Sequence, residues 1–169
     1  MAINEDIIDY IRQQENAQVG EGECWDLAEE ALKDAGAKTS NDYGKVTATA
    51  DYKWGTPVNI SQVMAGDIIQ FKNFSYKLKK TKDDGSWREN TFNTPHHTAI
   101  VYSVIDRGKG IMEVFEQNVE NVRFVTKGKY YFKNVKFETT EDGGKIKNEI
   151  TVSGQVKFYR PQAKAKARK

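Results

Sequence analysis

Cys24 is the only cysteine in the chain, and it stands where a reactive thiol is expected. A helix-like stretch begins at this residue, directly after the glycine-containing run 20–23. The N-terminus of a helix carries unpaired backbone N–H groups and partial positive charge, which favour a thiolate and can hold an oxyanion. A lone cysteine can instead be a small buried apolar residue at the start of an amphipathic helix. The residues that follow along the chain favour the catalytic interpretation.

The two histidines of the chain, His96 and His97, are adjacent and directly precede an apolar stretch that is typical of a strand. An imidazole at the start of a strand is held firmly while it stays near solvent, as a base that activates a thiol requires. A structural interpretation, with one ring packed and the other exposed, remains open. We select His97 as the base because it leads directly into the strand.

Two further polar residues, Glu116 and Asn118, end the next predicted strand. The period of two in a strand places both side chains on one face, and each could accept a hydrogen bond from an imidazole N–H and so orient it. A solvated strand end is the alternative. Gln18 precedes Cys24 in the same segment, and its amide could complete an oxyanion hole with the Cys24 backbone N–H. Such a glutamine is also common in surface loops.

The helices that must position these residues come first. We predict a helix with Asn4 as its N-cap and a second helix over 24–35 that ends at Gly36. On the second helix, small residues share a face with Cys24: Ala28, Ala31 and Ala35. This face would let the helix lie close against a sheet.

Beyond the helices the hydrophobic pattern alternates with the period of strands. The predicted strands are 66–71, 98–105, 111–118, 130–140, 145–152 and 155–160. We expect the polar segment 37–51 to be a surface loop. The segment 73–95 is polar and uneven, and we expect its core, 79–85, to be an exposed hairpin tip or a mobile flap. Helices followed by antiparallel strands predict an α+β fold.

The composition is that of one globular domain, which we place at 1–162, with a basic and disordered tail at 163–169. The net charge of +2 is too small to indicate nucleic acid. No apolar run reaches the roughly 20 residues of a membrane span. No secretory signal is present, which predicts synthesis in the cytoplasm and leaves later release or export to the cell wall open. The chain has no CxxC, HExxH or phosphate-loop motif, so we expect no metal and no cofactor.

Together these motifs resemble the papain-like amidohydrolases of bacteria and phages. The nearest resemblance is to the CHAP family (cysteine, histidine-dependent amidohydrolase/peptidase), and a looser one is to NlpC-type peptidases. It rests on the Cys24 helix and on the segments 66–71, 97–102 and 116–118. It implies an α+β, papain-like/NlpC-like fold in which N-terminal helices pack on an antiparallel, partly barrel-like sheet. CHAP domains often carry a glutamine immediately before the cysteine, whereas Glu23 stands there in this chain. We expect this carboxylate to point outward, because it would otherwise oppose thiolate formation.

The resemblance also implies a function and site roles. Cys24 would be the nucleophile, His97 the general base and acid, and Glu116 or Asn118 the orienting residue. The implied enzyme is a monomeric cysteine amidohydrolase or endopeptidase that cleaves peptide bonds of bacterial peptidoglycan. An acyl or peptidyl transferase with the same thiol chemistry, or a non-catalytic binding domain on this scaffold, remains open. Three aromatic residues could line the cleft or pack in the core: Trp25, Tyr52 and Trp54.

Overall fold

A computed structural model describes residues 2–44 and 52–165, so parts of the predicted loop 37–51 and of the predicted tail lie outside the described residues. The helices are α1 (Ala2–Gln14) and α2 (Cys24–Asp34), with short 3-10 turns at Ser40–Tyr43 and Ile60–Gln62. The strands are β1 (Thr56–Val58), β2 (Ile68–Lys82), β3 (Trp87–Asp106), β4 (Ile111–Glu116), β5 (Thr126–Tyr131), β6 (Val135–Glu141) and β7 (Gly144–Arg160). Helices precede strands, which confirms the predicted α+β layout. Among the described residues, no helix is long and apolar enough to cross a membrane.

All seven strands belong to one sheet, in the order β1-β7-β2-β3-β4-β5, and β6 pairs with β7 outside this path. Every pair of neighbouring strands is antiparallel. Within the described ranges the first and last strands of this order, β1 and β5, do not pair with each other. The strand order therefore confirms an antiparallel sheet but not the partly barrel-like form.

The segment 73–95 continues two long strands, and the predicted hairpin tip at 79–85 contains the start of the turn that joins them, between Lys82 and Trp87. Strands β2 and β3 pair from Ile68–Ile100 to Thr81–Trp87 and are joined by a tight turn. The residues of this ribbon alternate between polar and apolar only weakly, so a hydrophobic pattern cannot distinguish it from an exposed loop. Cross-strand backbone hydrogen bonds, which the sequence does not display, form the ribbon.

Two predicted strands, 145–152 and 155–160, are one strand, β7, with an irregularity at Gly154. Gly154 has a φ of 84°, and a Cβ there would collide with the backbone carbonyl of Asn73 on β2. The glycine therefore permits a bulge between β2 and β7 rather than ending the strand. Tyr130, predicted in the next hairpin, belongs to β5 instead.

Asn4 is not the cap of the first helix, as the sequence predicted, but a buried residue within its first turn. Its Nδ2 donates to the Ala65 carbonyl at 2.9 Å and to Asp67 Oδ1 at 3.0 Å. Asp67 also accepts from Arg160 Nε at 2.7 Å and from the Met64 backbone N–H at 2.9 Å. The turn before β2 thus connects α1 with the end of β7, and no local pattern could reveal these distant partners.

Two buried clusters of apolar residues lie against the sheet, and α2 packs on β3. The core on the helix side contains Ile7, Ile11, Leu27, Ala28, Ala31, Leu32, Trp54, Ile68, Ile100 and Phe115. The core on the opposite face contains Ile69, Phe71, Phe74, Tyr76, Val101, Met112, Val114, Tyr130, Phe132 and Phe158. Successive residues of a strand therefore serve different cores.

We expect Asp67→Ala to lower the free energy of unfolding by about 3–5 kcal/mol, because it leaves the largely buried Arg160 guanidinium without its partner. Urea unfolding followed by fluorescence measures this change. The matched control is Asp84→Ala in the β2–β3 turn, where the aspartate bonds only to Ser86. Equal stability losses in the two variants would contradict the role given to Asp67.

Candidate active site

Cys24 is the first residue of α2 and is partly exposed, so its thiol lies at the helix N-terminus that the sequence predicted. The preceding loop folds onto the first helical turn. Asp26 Oδ2 accepts from the backbone N–H groups of Glu21 at 3.0 Å and Glu23 at 3.1 Å. Gly20 has a φ of 59°, and a Cβ there would lie 2.7 Å from the Asp26 carboxyl carbon. This glycine therefore allows the loop to approach the helix closely.

His97 lies between Cys24 and Glu116 and is buried, with 5% of its surface exposed. Its Nε2 is 3.0 Å from Glu116 Oε1, and its side chain also forms a hydrogen bond with that of Cys24. Since Nε2 faces the carboxylate, Nδ1 is the ring nitrogen left for the sulfur. The Phe71 ring packs beside the imidazole, with the ring centroids 5.5 Å apart. The structure thus brings the predicted thiol, imidazole and carboxylate together.

Glu116 is itself held on two sides. The Tyr130 hydroxyl donates to Glu116 Oε1 at 2.6 Å, the same oxygen that faces His97. A Cβ at Gly128 of the neighbouring strand would collide with Glu116 Oε2, so this glycine leaves room for the carboxylate. Sequence reasoning did not identify Tyr130 or Gly128, since only the pairing of β4 with β5 brings them beside Glu116.

The charges of this group favour a protonated imidazole. Burial lowers the pKa of His97, but the hydrogen bonds and charges of Cys24 and Glu116 outweigh it and raise the pKa to about 9. Burial and the charge of Glu116 raise the pKa of Tyr130 far above its ordinary value, so its hydroxyl remains a hydrogen-bond donor. An imidazolium beside a thiol stabilises the thiolate, which is the nucleophilic form of cysteine.

Gln117 is a site residue that the sequence did not reveal. It is fully buried, and it binds the loop that leads into Cys24. Its Oε1 accepts from the Val19 N–H at 2.9 Å, and its Nε2 donates to the carbonyls of Val19 at 3.0 Å and Glu23 at 2.8 Å. The last residue of β4 and the residue after it thus hold the two halves of the site, since Glu116 contacts His97. Alternation along the predicted strand 111–118 places the two on opposite faces, but no sequence signal identifies the partners of Gln117.

The sequence allowed either Glu116 or Asn118 to orient His97. Asn118 does not take this role, because its backbone is no longer in the strand conformation. Its φ is 62°, and its Nδ2 donates to Glu23 Oε2 at 2.8 Å. The other oxygen of Glu23 accepts from Arg123 at 2.8 Å. The Glu23 side chain is half-exposed, and the positive charge of Arg123 compensates that of its carboxylate. Of the two candidates at the end of β4, Glu116 is the partner of His97.

The remaining predicted residues lie around this group. Gln18 is exposed, and its Nε2 donates to the Gly20 carbonyl within its own loop at 3.2 Å. His96 is exposed, with its ring centroid 5.7 Å from that of Tyr52. Trp54 is fully buried and donates to Gln70 Oε1 at 2.9 Å, so it is a core residue. Trp25 packs against both Tyr52 and Trp54.

A cleft of about 610 Å³ adjoins the site on the side of His97. Its lining comprises Tyr76, residues 91–97 of β3, Glu116, residues 118–120 and residues 128–130 of β5. Cys24 is not among the residues that line it. Among the described residues, no group of His, Cys, Asp and Glu side chains has the arrangement of a metal site.

A helix that begins at a cysteine and packs on an antiparallel sheet bearing the adjacent histidine is the architecture of the cysteine proteinase fold. The family described as the AIM3/BBC1 cysteine proteinase-fold domain matches residues 2–167, and the chain belongs to this family. The match supports the papain-like fold that the sequence predicted, but it does not support the CHAP or NlpC families specifically.

Two further comparisons add little to this assignment. A structure entitled "The crystal structure of Ly7917" aligns with 95% of this chain and 94% of that chain, at 14% identity and a TM-score of 0.47. Among curated proteins, none matches the sequence.

We expect the His97 imidazolium to persist through neutral pH and to deprotonate near pH 9, because Cys24 and Glu116 stabilise the charged ring. NMR of ¹⁵N-labelled histidine measures this titration, and the urea-unfolded chain should return the ordinary value near 6.5. Glu116→Gln removes one stabilising charge and should move the His97 transition to lower pH. An unchanged transition in this variant would contradict the role given to Glu116.

We expect Gln117→Ala to slow the alkylation of Cys24 by iodoacetamide at pH 6 by about tenfold, because the loop before the thiol loses three hydrogen bonds. The matched control is Gln162→Ala, which removes a side-chain amide that donates to the carbonyl of Arg160. Both rates are measured well below each variant's melting temperature. Wild-type rates in folded Gln117→Ala would show that the loop is held by other contacts.

Proposed function

We propose that this domain is a cysteine hydrolase of peptide amide bonds. In this mechanism Cys24 is the nucleophile, His97 the general acid and base, and Glu116 the orienting residue. The observation that supports it most is the buried imidazole that bonds a thiol on one side and a carboxylate on the other. A nucleophile, a base and a group that orients the base are the parts that covalent acyl transfer requires.

The first step is attack of the Cys24 sulfur on the carbonyl carbon of the peptide bond. A C–S bond forms, and the electron pair of the carbonyl moves to its oxygen. The Cys24 backbone N–H belongs to the first turn of α2, where it has no partner within the helix, and it would bind this oxyanion. The Gln18 amide is the proposed second donor, and it would exchange its long hydrogen bond to Gly20 for one to the oxyanion.

The second half of the reaction returns the enzyme to its starting state. The C–N bond breaks, and the leaving nitrogen takes a proton from the His97 imidazolium. Neutral His97 then accepts a proton from water, which attacks the thioester and releases the carboxylic acid and the Cys24 sulfur. Glu116 keeps the ring in one orientation throughout, and the Tyr130 hydroxyl holds Glu116 in place.

The substrate class is a finer part of the proposal. The four motifs that resemble the CHAP family support stem or cross-bridge peptides of bacterial peptidoglycan as the first substrates to test. Digestion of purified peptidoglycan and of an unfolded protein, each followed by mass spectrometry of the fragments, would separate this substrate from general peptide bonds.

We expect both Cys24→Ser and His97→Ala to reduce peptide cleavage by about 10⁴-fold or more, because each removes a group that reacts directly. Gln162→Ala is the matched control, since this side chain donates to the Arg160 carbonyl and does not line the cleft. A folded wild-type domain whose Cys24 reacts with iodoacetamide no faster than a free thiol at pH 6 would indicate a non-catalytic binding domain instead.

We expect Gln18→Ala to lower the rate of peptide cleavage by about 10²–10³-fold, the usual cost of one oxyanion donor. Alkylation by iodoacetamide forms no oxyanion, so its rate should stay within about twofold. Gln117→Ala, by contrast, should slow both reactions, because it alters the position of the thiol itself. Equal effects of Gln18→Ala on cleavage and on alkylation would reject the oxyanion role.

A further inference from the structure

The first half of β3 has an open edge beside the candidate site. This half pairs with β2 along its whole length. On its other side, β4 begins to pair only at Ala99, opposite Glu116. No residue that the structure describes pairs with the second edge of β3 before that point. An unpaired edge exposes a row of backbone donors and acceptors that another chain can join.

The register determines which residues present these groups. The Val101 N–H donates to the Asp67 carbonyl at 2.9 Å, and its carbonyl accepts from the Gly66 N–H at 2.7 Å, so the backbone of Val101 faces the β2 side. The pairing with β2 continues without a shift to Trp87.

One pair is missing from this register, Asn73 with Pro95, and the alternation shifts by one residue there: Phe92 lies with Tyr76 on the face that His97 and Phe71 occupy before the gap. Phe92 and Thr94 therefore bond to β2, whereas Thr91 and Asn93 direct their N–H and C=O groups to the open edge.

The cleft of about 610 Å³ runs along this same edge. Residues 91–97 form one wall, Glu116 lies at one end, and residues 118–120 and 128–130 form the facing side. Phe92 is 45% exposed and stacks on Tyr76, with ring centroids 4.7 Å apart. The volume is within the range of about 300–1,000 Å³ that is usual for ligand pockets.

The position of the cleft decides which part of a substrate it would hold. In the proposed reaction the acyl part becomes bonded to Cys24, whereas the leaving amine receives its proton from His97. The cleft is lined by His97 and not by Cys24. It therefore lies on the side of the leaving amine.

We propose that the open edge of β3 and this cleft bind an extended polypeptide segment on the leaving side of the scissile bond. The segment would add to the sheet as a further strand, with its backbone paired to Thr91 and Asn93. Main-chain pairing tolerates many side chains, and the cleft carries one charge of each sign outside the catalytic group, Glu120 and Lys129. This inference rests on the proposed hydrolase function, because it assumes the thioester at Cys24.

The subsite can be tested with the reverse of the step in which the amine leaves, that is, attack of an added amine on the Cys24 thioester. p-Nitrophenyl acetate should acetylate Cys24 and release a burst of nitrophenolate. An amine that binds in the cleft can then attack the thioester, so that the C–N bond forms, the C–S bond breaks and His97 takes the proton from the amine. Mass spectrometry measures the acetylated amine relative to the acetate formed by water.

We expect tetraglycine amide to capture the acetyl group about tenfold better than glycine amide at equal concentration, since a few main-chain hydrogen bonds add to its binding. A tetraglycine amide with N-methylated internal amides should fall back to the level of glycine amide. This comparison needs no variant of the protein. Equal capture of all three amines would overturn the subsite.

We expect Asn93→Pro to reduce capture of tetraglycine amide about fivefold, because it removes an edge N–H while the bonds to β2 remain. The nitrophenolate burst should be unchanged, which also shows that the variant is folded. Asn93→Val, which keeps the N–H, is the matched control. Unchanged capture in folded Asn93→Pro would overturn the role of the edge. A wild-type domain that gives no burst would refute the thiol chemistry itself, and this inference with it.

Discussion

The end of strand β4 is the constraint on which the candidate site depends. Its last residue and the residue that follows it hold opposite halves of the site: Glu116 binds the imidazole of His97, and Gln117 binds the loop before Cys24. One short segment of backbone therefore determines the positions of both the Cys24 sulfur and the His97 imidazole. If β4 moved as a unit, both supports would move together. If its pairing register slipped by one residue, Glu116 and Gln117 would exchange faces and the site would be destroyed.

Burial makes this arrangement electrostatically demanding. The carboxylate of Glu116 is almost completely removed from water, and a charged group in such a place must be compensated. Its compensation comes from the Tyr130 hydroxyl and from the charged ring of His97. The same pairing raises the pKa of His97 to about 9 against the opposing effect of burial. The contacts that compensate the buried Glu116 carboxylate are thus also those that keep His97 protonated beside the Cys24 thiol.

The family match and the observed fold support the papain-like fold that the motifs predicted, but not the particular family that the motifs resemble. Membership of the AIM3/BBC1 cysteine proteinase-fold family supports the general architecture, whereas the resemblance to CHAP enzymes carried a more specific bacterial function. The long ribbon of β2 and β3 is the feature that the motifs described least well. It extends the sheet past the end of β4 and creates the cleft beside His97.

The sequence by itself determined the local features: the start of α2 at Cys24, the helix end near Gly36 and the strands around His97 and Glu116. Each of these depends on the periodicity and backbone preferences of neighbouring residues. Only the tertiary structure decided that Glu116 rather than Asn118 meets His97, that Gln117 holds the loop, and that Asn4 bonds Asp67. These contacts join residues far apart in the chain, and they depend on strand register and twist, which no local pattern encodes.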